Sequence, residues 1–131
     1  MSVSLGRLGQ IAMNVKDLDR AVAFYRDKLG VRFLFQVPKL AFFDLDGIRL
    51  MLGLAEAPEH DHPGSVLYFK VPDIEAAHAE LEGRGVNFIS PPHLIARMPD
   101  HDLWMGFFDD TEGNTLGLMS EVRGGRGAGG Q

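Results

Sequence analysis

Residues 9–34, GQIAMNVKDLDRAVAFYRDKLGVRFL, return at 65–89 as SVLYFKVPDIEAAHAELEGRGVNFI. Val15 matches Val71, Asp17 matches Asp73, Leu18 matches Ile74 and Ala21 matches Ala77, each at an offset of 56. After a one-residue deletion, Gly30, Val31 and Phe33 match Gly85, Val86 and Phe88. A second pair of stretches follows the first: FFDLDGIRLML at 42–52 echoes FFDDTEGNTLGL at 107–118. A repeat of this length predicts two copies of one supersecondary unit packing together, with the surface between them as a natural ligand site.

Working outward, residues 9–15 alternate as a strand does, with Ile11, Met13 and Val15 on one face and Gln10, Ala12 and Asn14 on the other. Asp17 stands where a helix N-cap is expected. Leu18, Ala21, Val22, Tyr25 and Leu29 follow at helical spacing, and Gly30 suits the left-handed residue that ends a helix. Residues 31–36, 40–45 and 48–54 read as strands, the last two joined by a tight turn at Asp44–Gly47. The polar stretch 56–64 carries two prolines and reads as the linker. The second copy repeats the order with strand 66–71, helix 73–83, strand 86–90, an excursion over 91–101 that the first copy lacks, and strands 102–109 and 114–120. The expected layout is an α+β domain over 1–121, with units 8–54 and 65–121, a linker at 55–64 and a Gly-rich flexible tail at 122–131.

Composition narrows the function. With 131 residues, 45% hydrophobic and 24% charged, the chain has the make-up of one soluble globular domain. A net charge of −5 argues against sequence-independent binding to nucleic acid or an anionic membrane. No apolar run approaches the roughly 18 residues that span a bilayer. The N-terminus lacks an apolar signal-peptide core. The absence of cysteine removes disulfides, thiolate metal sites and a Cys nucleophile. A cytoplasmic protein is expected. The tail RGGRGAGGQ at 123–131 has an RGG-type look, but two arginines on an acidic body read as a solvated tail.

A β-α-β-β-β unit given twice, with D-L or D-I at each helix start, resembles the vicinal oxygen chelate superfamily. That group holds the glyoxalases, the bleomycin-resistance proteins and the extradiol dioxygenases. The resemblance covers residues 8–121. Its best local match is FFDDTEGN at 107–114, which is similar to the family's F-x-D-P-x-G-N turn with Thr111 in place of Pro. It implies tandem βαβββ units whose sheets curve into a cup with helices outside. In the metalloenzyme members, His, Gln and Glu ligands stand on the first and last strand of each copy. Those positions carry over to Gln10, Met51, Val66 and Gly117.

Val66 and Gly117 have nothing to donate, Met51 is a soft thioether, and Gln10 alone is a weak ligand. The expectation is therefore that the usual divalent-metal site is absent and that no cofactor is needed. The alternative is a metal-dependent lyase, isomerase or dioxygenase with displaced ligands at His93, His101 and Glu121. Glu121 shares a face with Gly117 and reads more simply as a solvated terminal residue. His60-Asp61-His62 reads as a solvated loop. His93 and His101 bracket the excursion beside the lone Trp104, although each His taken singly is expected to be structural or incidental. A metal-free enzyme would use His101 for acid–base work, tuned by Asp100 or Asp102, and burial of His101 beside a carboxylate would favour it. His78 and Tyr25 are expected to be packed helix residues.

Strand alternation places Gln10, Ala12, Asn14, Val66, Tyr68 and Lys70 on the ligand side, with Arg49, Met51, Gly53, Thr115, Gly117 and Met119. Lys70 and Arg49 read equally well as solvated rim residues. This mixed lining suits a small organic ligand with an apolar body and an anionic or polar end. Bleomycin-resistance proteins have acidic, aromatic sites. Acidity here gathers at Asp100, Asp102, Asp109, Asp110 and Glu112, mostly turn residues, so a cationic drug is one ligand among many. The leading expectation is a small-molecule-binding protein, homodimeric as the resemblance implies. Its candidate ligand contacts are Gln10, Met51, Tyr68, His93, His101 and Trp104. Of Trp104, Phe107 and Phe108, alternation sends some to each face.

Overall fold

The computed structural model describes residue 3, residues 5–55 and residues 64–123. The linker residues 56–63, with His60, Asp61 and His62, and the tail residues 124–131 lie outside the described residues. The chain divides into two compact units, Met1–Gly64 and Ser65–Gln131. Among the described residues, no helix is long and apolar enough to cross a membrane.

Unit 1 runs β1 (Gln10–Val15), α1 (Leu18–Ala23), a π-helical turn (Phe24–Lys28), β2 (Arg32–Val37), β3 (Leu40–Leu45) and β4 (Ile48–Leu54). Its sheet order is β1-β4-β3-β2, with β1 parallel to β4 and the other pairs antiparallel. Apolar alternation builds the helix-covered face. Met13, Val15, Ala41, Phe43, Leu50 and Leu52 are buried, together with Leu18, Ala21, Val22, Phe24 and Tyr25 from the helical segment. The Asp17 carboxylate accepts from the Arg20 N–H at 3.1 Å, capping α1. Gly30 ends the segment with φ of 73°. Asp46 and Gly47, with φ of 54° and 102°, turn β3 into β4 in the doubly left-handed manner of a two-residue hairpin. The Asp44 carboxylate accepts from Gly47 N–H at 3.0 Å and holds that turn closed.

The helix read from Leu18 to Leu29 is regular only to Ala23. Leu29 N–H then donates to the Phe24 carbonyl five residues back, at 3.0 Å. From Asp17 to Gly30 the first copy holds one residue more than the second does from Asp73 to Gly85. The π turn is where that residue is absorbed, since an i→i−5 bond takes up one extra residue without ending the helix.

Unit 2 runs β5 (Leu67–Lys70), α2 (Ile74–Gly83), β6 (Asn87–Arg97), β7 (Asp102–Asp109) and β8 (Thr115–Val122), with sheet order β5-β8-β7-β6. Asp73 caps α2 by accepting from Ala76 N–H at 3.1 Å. Ile74, Val86, Phe108, Leu116 and Leu118 form its core. The α+β class and the doubled β-α-β-β-β order stand as read.

The excursion over 91–101 is corrected. β6 continues as one strand to Arg97, pairing with β7 at His93, Leu94, Ala96 and Arg97 through register irregularities. Pro91 and Pro92 lack ladder donors, yet an edge strand with bulges tolerates them. Gly106 opposite makes the room: a Cβ there would meet Pro92 N at 3.2 Å and Ser90 O at 3.3 Å. Only residues 98–101 form a turn, closed by Met98 N–H donating to the His101 carbonyl at 2.7 Å.

Candidate site on the open sheet faces

The strand registers establish which positions of the two units correspond. Ala12 pairs with Met51 as Tyr68 pairs with Gly117, and Phe42 pairs with Met51 as Phe107 pairs with Gly117. Both edge strands bulge at the same place, at Leu34 between Phe33 and Phe35, and at Ile89 between Phe88 and Ser90. A bulge changes parity, so Phe33 faces the core against Phe43 while Phe35 faces the other way against Phe42.

The face of unit 1 opposite its helix carries two rows. Gln10, Arg49, Asp44 and Arg32 are successive cross-strand partners, and Ala12, Met51, Phe42 and Phe35 are the next. Phe35 and Phe42 stack with ring centroids 4.6 Å apart at 26°. The Arg49 guanidinium lies over the Phe42 ring, 5.9 Å from its centroid. The Gln10 amide reaches the Met51 sulfur at 3.9 Å.

The open face of unit 2 is built differently. Tyr68 and Phe107 meet edge to face, with centroids 5.8 Å apart. They do so over Gly117: a Cβ there would lie 2.8 and 3.0 Å from Tyr68 ring atoms and 3.3 Å from Phe107. In the next row Lys70, Met119 and Met105 are successive partners, followed by His93 on β6. Lys70 pairs with Glu121 at 3.2 Å.

Comparison with known proteins agrees with this doubled architecture. A family model described as Glyoxalase/Bleomycin resistance protein/Dioxygenase superfamily matches residues 7–118. The chain belongs to this superfamily. A curated relative, an uncharacterized protein of Mycolicibacterium smegmatis, is 31% identical over 114 residues, covering 86% of this chain and 92% of that protein. A glyoxalase/bleomycin resistance protein/dioxygenase from Nocardioides aligns with a TM-score of 0.72 at 25% identity, covering 95% of this chain and 89% of that one. Lactoylglutathione lyase from Agrobacterium tumefaciens shares the fold, with a TM-score of 0.70 at 23% identity over 88% of this chain and 94% of that one.

The superfamily's metalloenzymes imply a metal, and the residues at the corresponding positions do not fit one. Gln10 and Met51 are turned to each other, and a thioether is a poor partner for a hard divalent ion. Val66 precedes β5 and offers no donor atom. At Gly117 the volume that a ligand side chain would need is taken by the Tyr68 ring.

The proposed displaced ligands are not brought together. His93 is exposed, its Nδ1 2.9 Å from the Pro91 carbonyl. Glu121 is occupied by Lys70. His101 Nδ1 lies 2.8 Å from Asp100 Oδ1, and Asp100 Oδ2 accepts from Arg123 at 3.2 Å. Among the described residues, no group of three or more His, Asp or Glu side chains is arranged to hold a metal ion.

Trp104 pairs with buried Ser120 and with Leu94, two residues from Gly106 and four from buried Phe108. Alternation therefore places it on the face opposite Tyr68 and away from the candidate ligand contacts. Asp110, Glu112 and Asn114 are buried within their own turn, so that acidity is structural. The Asp110 carboxylate accepts from Glu112 N–H, Asn114 N–H and Asn114 Nδ2 at 2.8–2.9 Å. Asp102 is tied to Arg97 at 3.1 Å. His78 packs edge-on against Phe88, and Tyr25 is fully buried. Phe35 and Phe42 are the residues that sequence reading missed. The only available signal was the shared offset of both edge strands.

Proposed function

We propose that this chain is a small-molecule-binding member of the superfamily that works without the usual divalent-metal site. The observation that carries the reading is at Gly117. The position of a family ligand has no side chain, and the Tyr68–Phe107 pair occupies the space where one would begin. The open faces support an organic ligand with an apolar body and a polar or anionic end, since they combine Met51, Met105, Met119, Phe42 and Tyr68 with a few donors. Gln10, Met51, Tyr68 and His93 are the proposed ligand contacts. We take the protein to act as a cytoplasmic homodimer.

The test is elemental analysis of untagged protein purified without chelator, followed by titration with manganese, nickel and zinc watched by Trp104 fluorescence. The expected result is no stoichiometric metal and no saturable response, with thermal stabilisation by some members of a small-organic-acid library. One tightly held metal per chain would overturn the reading.

A second reading rests on His101. Its side chain retains 15% exposure and its Nδ1 is fixed by the Asp100 carboxylate, the arrangement that orients a general base. In that reading the protein is a metal-free enzyme, and His101→Gln abolishes turnover while leaving ligand affinity intact.

A further inference from the structure

We infer that the open face of unit 1 is a subsite for a planar aromatic carboxylate, with Arg49 taking the anion and the Phe35–Phe42 stack taking the ring. This rests on the small-molecule reading above and names the ligand class.

The argument begins with Arg49. Among the described residues its guanidinium makes no ion pair. Its cross-strand neighbour Asp44 spends a carboxylate oxygen on Gly47 N–H and comes no closer to Arg49 than an ion pair would require. What holds Arg49 is the face of Phe42. A cation resting on a ring keeps its N–H edges free, and that planar fork matches a carboxylate in two parallel hydrogen bonds. Gln10, the parallel-strand partner of Arg49, adds an amide whose present partner is a weakly accepting thioether. Two donors therefore stand side by side on a chain of net charge −5, so any anion selected here is selected by local geometry and not by the overall field.

The second half concerns the ring. Phe35 is 48% exposed although it is a stacked aromatic, so the pair is half a sandwich with one side open. A third flat ring extends an offset stack at the usual spacing of about 4.5–7 Å. The aromatic row lies directly beside the Gln10–Arg49 row in the sheet, one side-chain repeat away. A ligand whose ring and carboxylate are joined directly spans that step. Unit 2 has no such pairing, because Ser90 replaces Phe35 and Thr115 replaces Arg49 in the matching register.

The test uses the full chain, naphthoate and its neutral isostere naphthamide, with affinities from equilibrium dialysis. Naphthoate should bind about tenfold or more tightly than naphthamide, the gain expected of a charge-assisted pair. Arg49→Gln should make the two ligands equal, Arg49→Lys should restore part of the difference, and Phe35→Ala should weaken both. Arg97→Gln, on the other unit, should change neither. Matched unfolding midpoints keep misfolding out of the comparison. Naphthoate binding that survives Arg49→Gln overturns the proposal. So does a dimer that sediments as monomer after Phe35→Asp, since a second copy would then own this face. If the two ligands bind equally and Tyr68→Ala weakens both, this subsite falls while the small-molecule reading stands. If nothing in a broad organic library binds, both fall.

Discussion

Met51 and Gly117 occupy the same point in two matching registers, and the chain treats them in opposite ways. In unit 1 the side chain is kept and contacts Gln10. In unit 2 it is deleted, and a tyrosine that corresponds to Ala12 closes the gap with Phe107. The helix-covered faces diverge much less: Val15 and Val71, Leu18 and Ile74, Phe43 and Phe108, and Leu50 and Leu116 hold matching places. Packing constrains a buried face to shape and volume, so duplicated units retain it. The open face has no such constraint, and there the copies have separated into an arginine-and-stacked-ring surface and a tyrosine-covered one. The same contrast appears in the β3–β4 and β7–β8 turns. The first is exposed and two residues long, while the second buries Asp110, Glu112 and Asn114.

The turn gives the largest expected effect. Asp110→Ala strips a buried carboxylate from three donors at once and leaves them without partners. The cost should be about 3 kcal/mol or more, read from denaturant midpoints. Asp44→Ala, at the corresponding turn of unit 1, loses one exposed hydrogen bond and should cost about 1 kcal/mol. Equal costs would mean that burial does not distinguish the two turns.

Next comes an exchange at the site itself. Gly117→Met places the unit 1 residue in unit 2 and drives a Cβ into the Tyr68 ring, for a loss of about 1–3 kcal/mol. Adding Tyr68→Ala should recover most of it, because the obstruction is one side chain and not backbone. If the double variant is no more stable than Gly117→Met alone, Tyr68 is not what fills the position.

Much of this contrast was legible in the sequence, for identifiable reasons. The period-two alternation of Gln10 to Val15, the caps Asp17 and Asp73, and Gly30 and Gly85 are local signals, and each fixed an element or its end. The offset of 56 placed Tyr68 opposite Ala12 before any register was known. What escaped was whatever shifts parity or pitch. The bulges at Leu34 and Ile89 move Phe35 and Ser90 to the open face, and a straight count of two cannot anticipate them. The π turn was visible only as an unexplained one-residue gap. Residues 91–97 looked like a loop because two prolines argue against a strand, and only the space above Gly106 allows one. Trp104 went astray through its proximity in sequence to two histidines, although it falls on the other face.

The smallest effect lies at the 98–101 turn, which again has no counterpart in unit 1, where Pro38 and Lys39 make the bend. Asp100 is held below the usual carboxylate range, first by its hydrogen bond with His101 and further by the charges of His101 and Arg123. A carboxylate lowered on folding contributes stability above its unfolded value, and that contribution is lost as pH falls through the lowered value. At an exposed site the contribution is slight, so the carboxyl group itself is the better reporter. Its carbon chemical shift should titrate at lower pH in the native chain than in His101→Gln, where the principal cause is gone. An unchanged midpoint in His101→Gln would mean that the Asp100–His101 bond is not formed in solution. The acid–base reading of His101 would then lose the group that orients it, and tyrosine-covered unit 2 would have no chemistry to set against the anion-binding face of unit 1.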